Sequence, residues 1–475
     1  MSSNILNLTG LLGSAALIGL AAPAGAASLF SNFTPLPATV AAGSLPDDAP
    51  FQFGNPAWTQ TVLASRAAQL AAGEFNSGNW DMHTLNETGA AAGRYLFAPF
   101  ETAQAGVQRT DLDTGVTRTI WASPAQFAHV AFDASRWTPW GTYLTAEERW
   151  SDPDAIGSSP YGRLFEITNP LAAPEEINLV HRDILPRVSH EGLAFDKEGA
   201  LYFIDERNGS HVFKYVSATP GTPSFFEKGQ TFVLRVGDGT EERATGAADW
   251  VALTDAEGQP LPGAVTGIDP NGLPFIDGRA TPKLDDFRGT AYNRPEDMEI
   301  KTLADGRQVL FFATTTDAEV YALNLAETKV TRFADPSSID AATGAAVGVD
   351  FRGADNIAID SDGTVYIVED QGDGKADIWA TRDADDDGVA DFVARWASLS
   401  TFGAEPTGLY FDPFRPGIAY VNVQHPADGN DRTILIDATT SIAPVPVPAS
   451  VALLGSALAA FGGLRLRLRR PRRTA

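Results

Sequence analysis

Four short apolar segments of this chain begin with a carboxylate, and these acids are the side chains best suited to chemistry. They are Glu191, Glu296, Asp355 and Glu405. If the segments are equivalent strands around one axis, their first residues meet in a ring. Several buried negative charges are unfavourable together unless cations lie among them. The pattern therefore predicts a metal site built from carboxylate oxygens.

A second group of polar residues lies close to these segments. Glu147 and Glu148 end a neighbouring apolar segment, His190 directly precedes Glu191, and His425 ends the last such segment. Solvated turn residues are an equally good interpretation of the acids at segment ends. We therefore keep Glu147, His190 and His425 as further candidates for the site.

Phosphate ester hydrolysis is the reaction that such a site favours. Hard cations take oxygen ligands, and carboxylate sites with several metals hold the attacking and leaving oxygens of a phosphoryl group. A guanidinium group would stabilise the charge on the transferring group. Arg294 lies two residues before Glu296, and we predict both as catalytic residues. A salt bridge that only neutralises nearby acids is the competing interpretation of Arg294.

A separate acidic motif has the spacing of a calcium loop. It contains Asp383, Asp385, Asp387 and Asp391, with Gly388 at the turn. This D-x-D-x-D-G spacing predicts a structural calcium turn. Ala394 occupies the twelfth position, so the loop is not an EF-hand. The sequence contains no G-x-S-x-G or H-E-x-x-H motif, which argues against a serine hydrolase and a zincin.

The composition limits the partners and the metal ligands. The chain has 60 acidic and 35 basic residues, which give a formal net charge of −25. This charge argues against a nucleic acid as partner. The chain has no cysteine, so disulfides and thiolate ligands are excluded. Any metal must be bound by oxygen or imidazole.

The candidate residues belong to a repeated pattern of two apolar segments separated by a turn. Six copies occur, at 94–97 with 107–109, 142–145 with 163–167, 201–204 with 211–215, 309–312 with 320–323, 365–368 with 378–380, and 418–421 with 434–436. Such spacing is typical of propeller blades. We predict an all-β, six-bladed β-propeller over residues 27–440, with an insertion at about 216–293 that has its own strand at 231–235.

Both ends of the chain have the composition of processing segments. Residues 1–26 contain an apolar stretch and end in Ala-Gly-Ala, which predicts a signal peptide. Residues 441–475 contain an apolar segment at 449–464 followed by arginines, and they resemble the PEP-CTERM sorting signals of bacterial envelopes. We expect an exported protein in the periplasm or cell envelope, which contacts the membrane only through this tail.

Several motifs together resemble the PhoX-type alkaline phosphatases. They lie at 137–148, 190–192, 294–297, 355–356 and 421–426. The resemblance implies a six-bladed propeller that holds iron and several calcium ions and hydrolyses phosphate monoesters outside the cytoplasm. It also implies roles for single residues. Glu148, Glu191 and Glu296 would ligate metal, Asp355 would bind calcium, and Arg294 would hold the phosphate.

One position departs from the family pattern. Asp133 stands where the family carries a cysteine that ligates iron, and a carboxylate is a harder ligand that favours calcium, magnesium or manganese over an iron site tuned by a thiolate. We predict Asp133 and Glu405 as further metal ligands, several Ca²⁺ as cofactors, and Fe³⁺ as the ion that this substitution disfavours.

The sequence thus favours an exported, metal-dependent alkaline phosphatase that acts on small phosphate esters, and we expect a monomer. Two alternatives keep the fold. One is a non-catalytic calcium-binding propeller at the cell envelope that binds polysaccharide or protein. The other is a different propeller hydrolase, such as a lactonase or a phytase-like enzyme.

Overall fold

The computed structural model describes residues 28–150, 159–371 and 375–439, and the regular secondary structure of these ranges consists almost entirely of β-strands. The segments predicted as signal peptide and sorting tail lie outside the described residues. The strands, in chain order, are β1 Phe51–Phe53, β2 Thr59–Ser65, β3 Thr84–Leu85, β4 Tyr95–Phe100, β5 Gly106–Asp111, β6 Val116–Ala122, β7 Arg136–Trp137, β8 Tyr143–Ala146, β9 Leu164–Ile167, β10 Leu179–His181, β11 Leu193–Phe195, β12 Leu201–Ile204, β13 Asn208–Ser210, β14 Val212–Ser217, β15 Gly229–Val236, β16 Gly246–Ala252, β17 Thr266–Ile268, β18 Pro274–Ile276, β19 Tyr292–Asn293, β20 Pro295–Thr302, β21 Gln308–Thr314, β22 Glu319–Asn324, β23 Lys329–Ala334, β24 Ala354–Ile359, β25 Val365–Glu369, β26 Asp377–Arg382, β27 Phe392–Leu399, β28 Glu405–Phe411, β29 Ile418–Gln424 and β30 Arg432–Asp437.

Helices are short within the described ranges. The α-helix α1 covers Arg66–Ala71, and 3-10 helices cover Leu29–Ser31, Pro174–Glu176, Thr281–Lys283 and Gly348–Asp350. None of the helices in the described part of the chain is long and apolar enough to cross a membrane.

The strands form antiparallel sheets in a β-propeller arrangement. The orders are β3-β4-β5-β6, β10-β9-β8-β7, β2-β30-β29-β28, β1-β27-β26-β25-β24 and β11-β12-β14-β15-β16-β23-β22-β21-β20. In the nine-stranded sheet, β16 pairs with β15 over five residues and with β23 over two. Two small sheets, β13-β19 and β17-β18, complete the set in the described residues.

All six predicted pairs of apolar segments are paired strands in the structure. They are β4 with β5, β8 with β9, β12 with β14, β21 with β22, β25 with β26, and β29 with β30. The strand predicted at 231–235 lies within β15, which pairs with β14. Large apolar side chains fill the space between neighbouring sheets, and one such cluster contains Trp58, Tyr366 and Trp396.

Strands from the two ends of the described chain share sheets. The N-terminal strand β2 pairs with the C-terminal β30, and β1 pairs with β27. These pairings place the first two strands of the described chain in the same sheets as strands from its C-terminal part. The sheets can therefore form a closed arrangement in which the unpaired strand edges are short and protected.

The strands that position the candidate residues are edge strands of their sheets and lie side by side. β11 contacts β20, β20 contacts β24, and β24 contacts β28. Two glycines allow this close approach. A Cβ on Gly192 would lie 2.5 Å from the backbone nitrogen of Met298, and one on Gly408, where φ is +58°, would lie 2.8 Å from the carbonyl oxygen of Asp81. The starts of these strands therefore meet at one end of a common channel.

Candidate active site

Three of the predicted carboxylates form one compact cluster at this end of the channel. Glu191, Glu296 and Asp355 each offer an oxygen, and these oxygens all lie within 4.8 Å of one another. Glu191 directly precedes Gly192 and β11, while Glu296 and Asp355 lie in the first residues of β20 and β24. The cluster thus combines residues that are 164 positions apart along the chain.

Irregular strand pairing helps to direct these side chains into the channel. The register between β20 and β21 shifts between Pro295 and Met298, and that between β24 and β25 shifts between Ala354 and Ile357. A bulge of this kind re-aims side chains and is common beside active sites. Glu296 and Asp355 lie in the two shifted stretches, so local backbone geometry accounts for their convergence.

The electrostatics of the cluster are unfavourable without cations. Burial raises the pKa of Glu191, Glu296 and Asp355 well above their ordinary values, and the acids around each of them add to the effect. Both carboxylate oxygens of Glu296 are buried and have no hydrogen-bond partner among the described residues. Oε1 has an ion-pair contact with Arg294 at 3.1 Å, and buried oxygens without hydrogen bonds fit the ligand demand of a hard cation. The residues present therefore suit the metal site that the sequence predicts.

The other predicted ligands lie around the same channel. Burial raises the pKa of Asp133, and the Asp81 and Glu101 carboxylates raise it further. Burial likewise raises the pKa of Glu148 and of Glu405. Asp133 Oδ1 and Glu405 Oε2 are buried without a hydrogen-bond partner in the described structure. Asp133 thus occupies a place where its carboxylate could bind a cation.

Four further acids face this channel, and each acts electrostatically on a predicted ligand. Glu206 and Asp370 belong to the acids at the ends of apolar segments that the sequence shows. Sequence reasoning missed the other two, Asp81 and Glu101. Gln424 Nε2 donates a 3.0 Å hydrogen bond to Asp81 and another of the same length to Glu101.

The missed acids follow the pattern that revealed the others. Asp81 precedes β3, as Glu191 precedes β11. Glu101 directly follows β4, just as Glu147 directly follows β8. Extending the pattern to the first repeat would have found both Asp81 and Glu101.

Arg294 lies at the solvent side of the carboxylates. Its guanidinium is 2.5 Å from Glu206, 3.1 Å from Glu296 and 3.9 Å from Asp370, and its side chain is 38% exposed. Its backbone φ is +53°, a left-handed conformation that is uncommon for a residue with a side chain. Such strained positions cluster at active sites and ligand clamps. The geometry leaves Arg294 able to meet an anion that enters from solvent.

The three further candidates have different surroundings. Glu147 is fully buried and accepts hydrogen bonds of 2.6 and 2.9 Å from Arg163. His190 is buried against Phe203, and burial lowers its pKa to about 3, so its imidazole is neutral at ordinary pH. His425 Nε2 lies 2.6 Å from Glu405 Oε1. Of the three, His425 therefore contacts a predicted ligand, whereas Glu147 stabilises a neighbouring segment.

The calcium-loop motif lies apart from the channel, between β26 and β27. Asp383, Asp385 and Asp387 each offer an oxygen within 4.8 Å of the others. Asp391 accepts a 2.9 Å hydrogen bond from the backbone nitrogen of Ala384, which closes the loop on itself. The motif is thus folded locally and supplies none of the channel residues.

Comparison with known proteins gives one family. The sequence profile of the family described as "Alkaline phosphatase PhoX" matches residues 134–346. The comparison with curated protein sequences gives no match. The matched range contains the Trp137–Glu148 motif, Glu191, Arg294 and Glu296. The resemblance drawn from the motifs is therefore confirmed for this part of the chain.

Three solved structures are similar to this chain at low sequence identity. Pseudomonas fluorescens PhoX in complex with vanadate, a transition state analogue, is 15% identical, with a TM-score of 0.57 over 85% of this chain and 98% of that chain. Regucalcin from Agrobacterium tumefaciens, a calcium-binding protein, is 12% identical, with a TM-score of 0.38 over 80% and 95%. The PQQ-bound aldose sugar dehydrogenase from Streptomyces coelicolor is 13% identical, with a TM-score of 0.39 over 82% and 99%. Residues 134–346 thus match the family described as "Alkaline phosphatase PhoX", and the chain has the fold of a solved PhoX.

Proposed function

We propose that this protein is an exported, metal-dependent alkaline phosphatase that hydrolyses small phosphate monoesters. The observation that carries the proposal is the cluster of Glu191, Glu296 and Asp355 beside Arg294, with both oxygens of Glu296 buried and free of hydrogen bonds. This arrangement suits a phosphoryl group, because it combines ligands for cations with a guanidinium group that faces solvent.

The roles of the residues follow from their positions. Arg294, held by Glu206 and Glu296, orients the phosphate oxygens at the mouth of the channel. Bound cations would supply Lewis-acid stabilisation of the negative charge on the phosphoryl group. Glu191, Glu296 and Asp355 would hold these cations, and the acids around the channel would complete the ligand set. That wider set comprises Asp81, Glu101, Asp133, Glu148 and Glu405.

Calcium is the cation that the ligand chemistry favours. The chain has no cysteine, and the site consists of carboxylates, which are hard ligands. Asp133 takes part in this set, so we propose several calcium ions and regard iron as disfavoured. A further calcium ion in the loop of Asp383, Asp385 and Asp387 would have a structural role.

The proposed architecture has six blades. Four sheets of four or five strands each supply one blade. The nine-stranded sheet supplies two, β11-β12-β14-β15 and β20-β21-β22-β23, because β16 pairs with β23 over only two residues. We also propose that residues 1–26 are a signal peptide and that the insertion predicted at about 216–293 contributes its strand β15 to the first of these two blades.

Hydrolysis of p-nitrophenyl phosphate tests the function. The purified protein is assayed at alkaline pH as isolated, after chelation, and after calcium is returned to the chelated sample. We expect chelation to abolish release of p-nitrophenol and calcium to restore it. Iron and manganese are added in parallel to identify the active metal.

A folded, calcium-loaded protein that shows no turnover when iron and manganese are also supplied would overturn the proposal. Such a result would favour the binding propeller at the cell envelope instead. That alternative is less well supported, because a purely structural ring of calcium ligands gains little from Arg294 among its acids. Hydrolysis of lactones without hydrolysis of phosphate esters would favour the other propeller hydrolase.

A further inference from the structure

A pocket of about 600 Å³ opens beside Arg294, and the three clustered carboxylates Glu191, Glu296 and Asp355 are not part of its lining. Its wall contains Arg294, Thr315, Asp317, Arg352 and Asp370. Since Arg294 would hold the phosphate, a group attached to that phosphate can extend into this pocket. The pocket can therefore accommodate the alcohol part of a phosphate ester.

Thr315 links the pocket to Arg294. Its backbone nitrogen donates a 3.1 Å hydrogen bond to the carbonyl oxygen of Arg294. Its hydroxyl oxygen is buried and has no hydrogen-bond partner among the described residues. A buried polar group without a partner is unfavourable, and a ligand or a water molecule can satisfy it. Thr315 thus offers a free hydroxyl next to the proposed phosphate position.

Arg352 supplies a free positive charge in the same pocket. Its side chain is exposed, and its guanidinium has neither an ion pair nor a hydrogen bond within the described part of the chain. Its backbone, in contrast, is fixed. Arg352 N donates a 3.1 Å hydrogen bond to Glu369, and the carbonyl oxygen of Gly353 accepts a 2.8 Å bond from Asp370 N.

The other charges of the pocket are already paired. Asp317 lies 3.1 Å from the guanidinium of Arg243 and accepts a 2.8 Å hydrogen bond from Asn293. Asp370 lies 3.9 Å from Arg294. Arg352 is therefore the unpaired charge of this pocket among the described residues, in a chain whose formal net charge is −25. The pocket is locally suited to an anion although the whole protein is acidic.

We propose that Arg352 is a specificity residue that binds a second anionic group on the substrate. The preferred substrates are then phosphate monoesters whose alcohol carries a carboxylate or a second phosphate. This inference rests on the proposed phosphatase function. In the reaction, the oxygen of water bonds to phosphorus, the P–O bond to the alcohol breaks, and the alcohol leaves with a proton. Arg352 takes no part in these bond changes and acts on binding alone.

Two substrates that differ in one group test the proposal. Glycerol 3-phosphate and 3-phosphoglycerate share the phosphate ester, and a carboxylate replaces a hydroxymethyl group in the second. We expect wild type to prefer 3-phosphoglycerate in kcat/KM. Arg352→Gln should lower that preference by about five-fold, which is the effect expected from the loss of one ion pair at an exposed site. The change should appear in KM more than in kcat, because Arg352 would contact the anionic group equally in the bound substrate and in the transition state.

Two further variants provide controls. Arg352→Lys keeps the charge and should retain most of the preference. Arg118→Gln removes a positive charge from a side chain that is 60% exposed on β6, outside the pocket, and should leave the ratio of the two kcat/KM values as in wild type. Raising the salt concentration should weaken the preference in wild type, since exposed charges are screened.

The outcomes separate this inference from the function on which it rests. No hydrolysis of either ester by the calcium-loaded protein would overturn the proposed function itself. Hydrolysis of both esters with the same ratio of kcat/KM in wild type and Arg352→Gln would overturn only the role of Arg352. An equal fall in that ratio in Arg118→Gln would also overturn it, because the effect would then come from net charge rather than from the pocket.

Discussion

Arg294 and Glu296 are two positions apart and face each other at 3.1 Å, yet their surroundings differ. The Glu296 carboxylate is 1% exposed, whereas the Arg294 side chain is 38% exposed. The buried acid is therefore placed to bind a cation, and the guanidinium is placed to meet a solvent-borne anion. A salt bridge alone would not require the left-handed backbone at Arg294.

The variant Glu296→Gln tests the role of this acid. With calcium bound, the variant should lose activity by about two orders of magnitude or more and melt at a lower temperature, because one charged ligand is gone. In chelator its melting temperature should equal or exceed that of wild type, because one of several crowded charges has been removed. Activity assays and thermal melts with and without calcium measure both effects.

The control for this variant is Glu198→Gln. Glu198 is 67% exposed and lies 3.9 Å from Lys197 in a surface ion pair. It should behave as wild type in both conditions. Full activity of Glu296→Gln would remove Glu296 from the site.

The sequence predicts a site residue when the pattern that marks it lies within one short segment of the chain. Glu191, Glu296 and Asp355 each start a clear apolar segment, so their equivalence was visible. Asp81 was missed because the strand that follows it, β3, has only two residues, too few to show alternation. The free charge of Arg352 was also hidden, since ion pairing depends on segments that are distant in sequence.

At the scale of elements, hairpins were predictable and the contacts between sheets were not. The six predicted pairs rest on alternation within short segments, a local property. The pairing of β16 with β23 depends instead on how two parts of the fold approach each other. The same holds for the buried ion pair of Arg279 with Asp205, at 2.6 Å, whose partners are 74 positions apart.

This ion pair supports the segment that carries Glu191. Arg279 also donates a 2.9 Å hydrogen bond to Ser189, and Ser189 N donates one of 2.8 Å to Asp205. Arg279→Met should therefore lower the free energy of unfolding by about 3–5 kcal/mol, because Asp205 stays buried without its cation. Urea denaturation measures this change, and calcium-dependent activity should fall with it.

Arg235→Met is the matched control at this scale. Arg235 pairs with Asp249 at 2.7 Å on the surface, where the two side chains are 31% and 55% exposed. Loss of this pair should cost about 1 kcal/mol or less. Equal destabilisation by the two arginine variants would contradict the supporting role of Arg279.

At the scale of the whole molecule, the carboxylates of the channel couple folding to pH and to metal. Burial raises the pKa of Asp297 to about 7 and raises those of Glu191, Glu296 and Asp355 well above their ordinary values. The folded, metal-free protein thus holds protons that the unfolded chain releases at lower pH. Stability from these groups is fully present below about pH 4, the ordinary range of carboxyl pKa values, and is lost as pH rises through the raised values.

Bound calcium should reverse this dependence, because a cation replaces the protons and stabilises the ionised carboxylates. In chelator, the melting temperature should fall steadily from about pH 5 to pH 9, a window that contains the raised pKa of about 7 for Asp297. With calcium it should stay level or rise over the same window, since ionised ligands bind the cation more tightly. Thermal melts at constant ionic strength measure both curves. Parallel curves would mean that the channel acids do not bind calcium, and the buried charge would then need another source of compensation.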